Sequence, residues 1–387
     1  MSSTSSCRVL AGSREVPAAP FEDFRRTIRR QGTLALNGLC QMFDSQSALF
    51  CYTLKQTERG LVQEGISHRY SMITLMGLHR LEESGQTSPI EIQPVFQTLL
   101  AKTDWVNTVG DLGLLLWLCA LIAPERLPQI KKQLGVDSAL ARYGDARQGR
   151  TMELAWFLTG LSHASLACPD VGSQVKDLAA QTYALLARNQ GEHGVFGHVA
   201  ANRSFGGTLR NRIGSFADQV YPIYGMTKFS QAFGHDEALE KAEDCALAIC
   251  DAQGPFGQWW WHYDSLSGRV VEGYPVFSVH QHGMGPMALF ELGEALNADF
   301  SPWIYKGLQW VNSENELAFD MEDVSANVIW RSIYRPSLTR YWDVAIGMLG
   351  RRRERRSFEG LKVRFECRPY ELGWLLYAFA NRSNGKL

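Results

Sequence analysis

The 387-residue sequence lacks a long apolar run, a paired-cysteine motif and any appreciable net charge, and each absence removes a class of function. No stretch reaches the ~20 consecutive apolar residues of a membrane span, and the opening MSSTSSCRVLAGSREVPAAP lacks the apolar core of a secretory signal. A cytoplasmic location with no membrane span is therefore expected. The eight cysteines, at 7, 40, 51, 119, 168, 245, 250 and 367, form no CxxC pair, which suits reduced thiols and argues against a disulfide framework or a thiolate zinc site. A formal net charge of −1 leaves no overall field to attract nucleic acid, so a small molecule or a saccharide is the expected partner. No cofactor is expected.

What is present is helical periodicity. Apolar residues make up 45% of the chain and fall into two kinds of segment. PVFQTLLAK (94–102), 171–190, 236–253 and 301–313 each have one wet face, as do 21–44 and 127–142, and these read as outer helices. The segments 68–81, 111–123, 152–165, 218–233, 280–296 and 370–382 are apolar nearly all round, and a helix of that kind is buried on every side. Pairing each inner segment with the outer one before it gives six helical hairpins. Residues 1–20 read as a disordered N-terminal segment and 21–387 as one domain, interrupted by a loop and strand insertion at 316–369.

A weak repeat runs through this pattern. LLARNQGEHGVF and LAICDAQGPFGQW share a glutamine, then three residues, a glycine, any residue and an aromatic, and Gln190 and Gln253 recur at a period of about 63 residues. Asn315 holds the same place in a degraded third copy. Gln-x-x-x-Gly-x-aromatic after a helix resembles the QW-type repeat of terpenoid-cyclase toroids, and related turns occur in six-hairpin glycosidases and in polysaccharide lyases and epimerases. The resemblance implies an all-α (α/α)6 toroid and leaves the chemistry open, because one fold hosts many functions.

In such a toroid the inner helices run parallel and their first residues gather at one end. The sequence puts polar groups there: His68 and Arg69, Asp111, Glu153, Asp218 and Gln219, His280 and His282, and Glu371. Acids in first turns are also ordinary helix caps, and that reading covers Asp111 and Glu153. Asp218 is three residues after Ser215, at capping-box spacing, but Gln219, Tyr221 and Tyr224 on the same helix need further polar partners. His280 and His282 both face a substrate if the helix entry is extended, and a metal is not expected because no third or fourth ligand is evident. In GQWWWHYD (257–264) Trp259 takes the structural place of the repeat, leaving Trp260, Trp261, His262, Tyr263 and Asp264 for a ligand. Within the insertion, Asp320, Glu322, Asp323, Trp330 and Arg331 are expected to cover the funnel, while the arginine run 351–356 reads as solvated surface.

Three readings follow. A carbohydrate-active enzyme uses Asp218 as acid with Asp264, Glu153 or Asp323 as its partner; a lyase or epimerase variant uses His280 or His282 with Tyr221, and Arg69 or Arg331 on a uronate. A terpenoid cyclase is the alternative, although the Asp-x-Asp-Asp acid motif of proton-initiated cyclases is missing and Asp320-Met-Glu-Asp323 is the nearest departure. A non-catalytic binding toroid is the third.

Overall fold

The computed structural model describes residues 21–200, 211–336 and 358–382. The N-terminal segment 1–20 and the arginine run lie outside the described residues.

The inner wall consists of His68–Glu83, Val109–Ile122, Thr151–Ala167, Ala217–Phe233, Gly285–Leu296 and Pro369–Phe379. Each packs on the next around a closed ring, the last against the first. The cause is in the sequence: Val109–Ile122 is buried at every position from 109 to 120, so it needs neighbours all round. Outer helices bury one stripe. In Asp236–Asp251 the buried residues are Ala238, Ala242, Cys245, Ala246, Ile249 and Cys250, the spacing of a single helical face. The structure is an (α/α)6 toroid.

The hairpin order is the reverse of the sequence expectation. Most inner helices turn sharply into the outer helix that follows: Cys168 alone joins Thr151–Ala167 to Pro169–Ala187, and Gly234 with His235 joins Ala217–Phe233 to Asp236–Asp251. Short connections make antiparallel neighbours, so these are the pairs that pack, and the first outer helix, Phe21–Met42, closes the ring against Pro369–Phe379. Every described strand lies in an outer-to-inner connection, at the end where inner helices begin. There Leu49–Thr57 pairs with Gly60–Ile66 and Glu366–Cys367, Ile213–Ser215 with His262–Asp264, and Ser332–Tyr334 with Val276–Phe277 and Lys362–Arg364.

Two features fix the ring. Gly77 and Gly373 meet so closely that a Cβ on Gly77 would lie 2.2 Å from the Gly373 carbonyl oxygen. The repeat is also structural: Gln190 Nε2 donates to the carbonyls of Gly194 and Lys241, and Gln253 Nε2 to those of Gly257 and Trp303. Each amide thus closes its own turn and reaches the next outer helix. Asn315 closes a turn by donating to Trp310 and Phe319. Among the described residues no helix is long and apolar enough to cross a membrane.

Candidate active site

The toroid brings the inner-helix starts together as a polar collar. Arg69 Nε donates to Asp111 Oδ1 at 2.8 Å, and its Nη1 lies 3.3 Å from Glu153 Oε1, so one guanidinium bridges three inner helices. Asp111 also forms a capping box with Thr108, which is its bland role, and does both jobs at once. Asp145 accepts from the Val109 amide at 3.1 Å and adds a further acid nearby. Burial pushes the Glu153 carboxyl up, Arg69 opposes that shift, and Asp111 and Asp145 reinforce it. Its Oε2 packs over Gly110, where a Cβ would come within 2.0 Å, and has no hydrogen-bond partner.

Beneath the collar lies an aromatic floor. Glu153-x-x-Trp156, Asp218-x-x-Tyr221 and Glu371-x-x-Trp374 put an aromatic one turn below an acid on three inner helices. Trp156 and Tyr221 have centroids 4.9 Å apart, Tyr221 and Trp374 6.0 Å, and Trp374 Nε1 donates to the Tyr221 hydroxyl at 3.0 Å. The Arg69 guanidinium sits 4.8 Å above Trp156. Next in the ring, Arg331 pairs with Glu371 and stacks 4.9 Å from Phe277, which in turn contacts Trp261 and His280. Trp261 lies parallel to His280 at 6.0 Å. His262 Nδ1 is 2.6 Å from Glu272 Oε2, its cross-strand neighbour.

Arg69, Asp111, Glu153, Asp218, Tyr221, Trp261, His262, His280 and Arg331 therefore share the collar and its surroundings. His68 lies at the margin, stacked on Trp105 at 5.1 Å. Both oxygens of Asp218 have protein partners: Oδ1 accepts from the Met152 amide at 3.2 Å, Oδ2 from the Ser215 amide and hydroxyl at 2.8 and 2.9 Å, and His198 Nδ1 lies 3.5 Å from Oδ2. It binds the start of its own helix to the start of Thr151–Ala167.

Other expected site residues are placed elsewhere. Gln219 is spent on the repeat, accepting from the Phe196 amide and donating to its carbonyl, as Gln281 accepts from the Trp259 amide. Tyr263 is in the core, its hydroxyl accepting from the Trp260 amide; Trp260 is buried, with Nε1 donating to Ala252. Asp264 organises a tight turn with Ser267 and pairs with Arg212 at 3.1 Å. Trp330 is buried edge-on against Phe365. Asp323 sits in a hairpin against the first outer helix, where its carboxylate accepts from Ser325 and Ala326, and neighbouring Glu322 pairs with Arg30. The entry at His280–Met284 is a π-helical turn, not an extended run, so the two imidazoles diverge; His282 shares none of the His280 ring contacts. Burial, above all, holds both at about 3, so both are neutral at pH 7.

Tyr224 lies deeper, in a plug at the far pole. Its hydroxyl is 3.1 Å from His163 Nε2 and 2.7 Å from the Tyr377 hydroxyl, to which Arg80 donates. Trp117 stacks on His163 and Tyr224, and Lys228 pairs with Glu291 at 2.6 Å. All six inner helices contribute to this packed set.

Solved structures share the architecture. An unsaturated glucuronyl hydrolase from Bacillus sp. GL1 superposes with a TM-score of 0.58 at 14% identity, over 92% of this chain and 96% of that one. The Streptococcus agalactiae unsaturated glucuronyl hydrolase gives 0.56 at 11%, over 95% and 92%, and a possible GH105 member from Salmonella enterica 0.57 at 10%, over 93% and 94%. The fold is theirs. At such identities the likeness is one of fold. No protein-family model and no curated protein matches the sequence.

Several residues of the collar and its floor were missed from sequence, Asp145 and Arg368 among them. Trp156 and Trp374 carry a readable signal, the acid-x-x-aromatic spacing, whereas Glu272 and Phe277 reach the site only through strand pairing that local spacing does not announce.

Proposed function

We propose that this protein is a glycoside hydrolase acting on a uronate-bearing saccharide at the collar, with Glu153 as proton donor. One observation carries the reading: Glu153 Oε2, Trp156 Nε1, Trp261 Nε1 and Arg331 Nε are buried at this end and lack hydrogen-bond partners among the described residues. Buried polar atoms are almost always satisfied, so a group of orphans among the inner-helix starts argues for a polar ligand. The ligand's chemistry follows from its surroundings. Indole faces suit the apolar face of a pyranose, and Arg69 and Arg331 suit a carboxylate. The fold neighbours, being glucuronyl hydrolases by name, support the same class.

The acid is Glu153 and not Asp218, because the oxygens of Asp218 are already occupied by protein donors. A general acid needs a raised pKa, and burial gives Glu153 that direction. His262 is the second proton carrier. Its Nδ1 lies 2.6 Å from the Glu272 carboxylate, an acceptor that favours the proton on Nδ1 and leaves Nε2 as the acceptor nitrogen.

The test is turnover of unsaturated glucuronyl disaccharides, followed by loss of their conjugated chromophore, and of a panel of uronate polysaccharides by reducing ends. Glu153→Gln is expected to lower kcat by about 10²-fold or more while leaving the fold and saccharide binding in place. Wild-type turnover in that variant removes the assignment.

A further inference from the structure

Three tyrosines lead out of the collar in an unbroken series. Tyr370 and Tyr70, in the first turns of the last and first inner helices, have centroids 4.5 Å apart. Tyr70 stacks on Tyr52, of the Leu49–Thr57 strand, at 5.3 Å and 16°. Tyr52 is 42% exposed, in a protein whose aromatic rings are mostly buried.

An exposed tyrosine on a strand is usually only a strand former. This one is oriented. The Arg368 guanidinium is 4.4 Å from the Tyr52 centroid and 5.8 Å from the Tyr70 centroid, and Nη1 donates to the Tyr70 hydroxyl at 2.8 Å. Were Tyr70 and Arg368 on opposite faces of Tyr52, they would be separated by nearly the sum of their two distances to it. Their 5.8 Å separation puts both on one side of a ring that is 42% exposed, so the ring is held from that side. A fixed aromatic face beside a guanidinium is a sugar platform: ring carbons lie on the aromatic surface, and hydroxyl or carboxylate oxygens take the Arg donors.

We propose that Tyr52 and Arg368 form an outer saccharide subsite, holding a unit further along the chain whose terminal unit occupies the collar. This inference rests on the collar being a saccharide site. It makes the protein a reader of chain length, with affinity rising from a disaccharide to longer oligosaccharides.

The experiment is calorimetric titration of Glu153→Gln protein with unsaturated chondroitin disaccharide and tetrasaccharide. The tetrasaccharide is expected to bind about tenfold tighter, which is about 1.4 kcal/mol. Adding Tyr52→Ala should bring that ratio close to one, and adding Tyr52→Phe, which keeps the ring, should preserve it. Equal affinity for the two lengths, or a ratio that survives Tyr52→Ala, overturns the subsite and leaves the collar reading standing. Failure of both saccharides to bind overturns both.

Discussion

Two imidazoles and two carboxyls set the acid response of the molecule. His280 and His282 are held at about 3 against an ordinary value of 6.5, so between those values the unfolded chain binds more protons than the folded one. Their contribution to stability is complete above pH 6.5 and is lost as pH falls toward 3. Glu153 and Glu371 act with the opposite sign. Burial raises both carboxyls, so their folded forms favour low pH, and that advantage disappears as pH rises from 4.5 through the raised folded values. Denaturant midpoints should therefore drop between pH 7 and pH 5, and His282→Gln should flatten the dependence; an unchanged slope in that variant would show that the imidazole is already charged in the folded state. At this scale the sequence was only partly legible. Acids at inner-helix starts announced Arg69, Asp111 and Glu153 as neighbours once a toroid was assumed. The same first-turn logic also pointed to Gln219, whose amide serves a turn, because a polar residue entering a buried helix looks alike whether its partner is ligand or backbone.

At the scale of elements, the glutamine of the repeat ties consecutive hairpins. Gln253 Nε2 serves the carbonyls of Gly257 and Trp303 together, so Gln253→Ala leaves two acceptors short of a donor. A loss of about 1–3 kcal/mol is expected, read as a shift in the midpoint of urea unfolding. Gln190→Ala should behave alike, since its two bonds are equivalent, whereas a shift confined to one copy would mean that the copies are not structurally equal. Inner helices were the most readable elements, since an all-round apolar segment has no other soluble solution. The outer segment 127–142 was less so: Gly135, in the left-handed region at φ 57°, divides it into Leu127–Gln133 and Ala139–Arg142. The Leu49–Thr57 and Gly60–Ile66 hairpin went unread. Leu49–Thr57 is buried on both faces over its first three residues, and Tyr52 is the only exposed residue among its first six, so the alternation that marks a half-wet strand is missing.

For the whole molecule, ring closure joins the first and last helices of the described residues. The first outer helix packs on the last inner one, and Glu366–Cys367 pairs with Leu49–Thr57, so neither helix can leave without opening the toroid. Far-ultraviolet ellipticity and tryptophan fluorescence should report one coincident unfolding transition; two separated transitions would divide the ring into independent halves. Toroidal closure was legible from the count of inner segments, but the hairpin order was not, because periodicity says which helices are buried and is silent on which neighbour each turns toward. The plug of Tyr224, Tyr377, His163 and Arg80 has a kinetic corollary. With the far pole filled by side chains from every inner helix, traffic is one-way in and the same way out, like a cul-de-sac. On the saccharide reading of the collar, a leaving product and an arriving substrate share one blind-ended site, and accumulated product should inhibit competitively, raising the apparent KM with kcat unchanged; noncompetitive inhibition would mean that product also binds an enzyme form other than the free one.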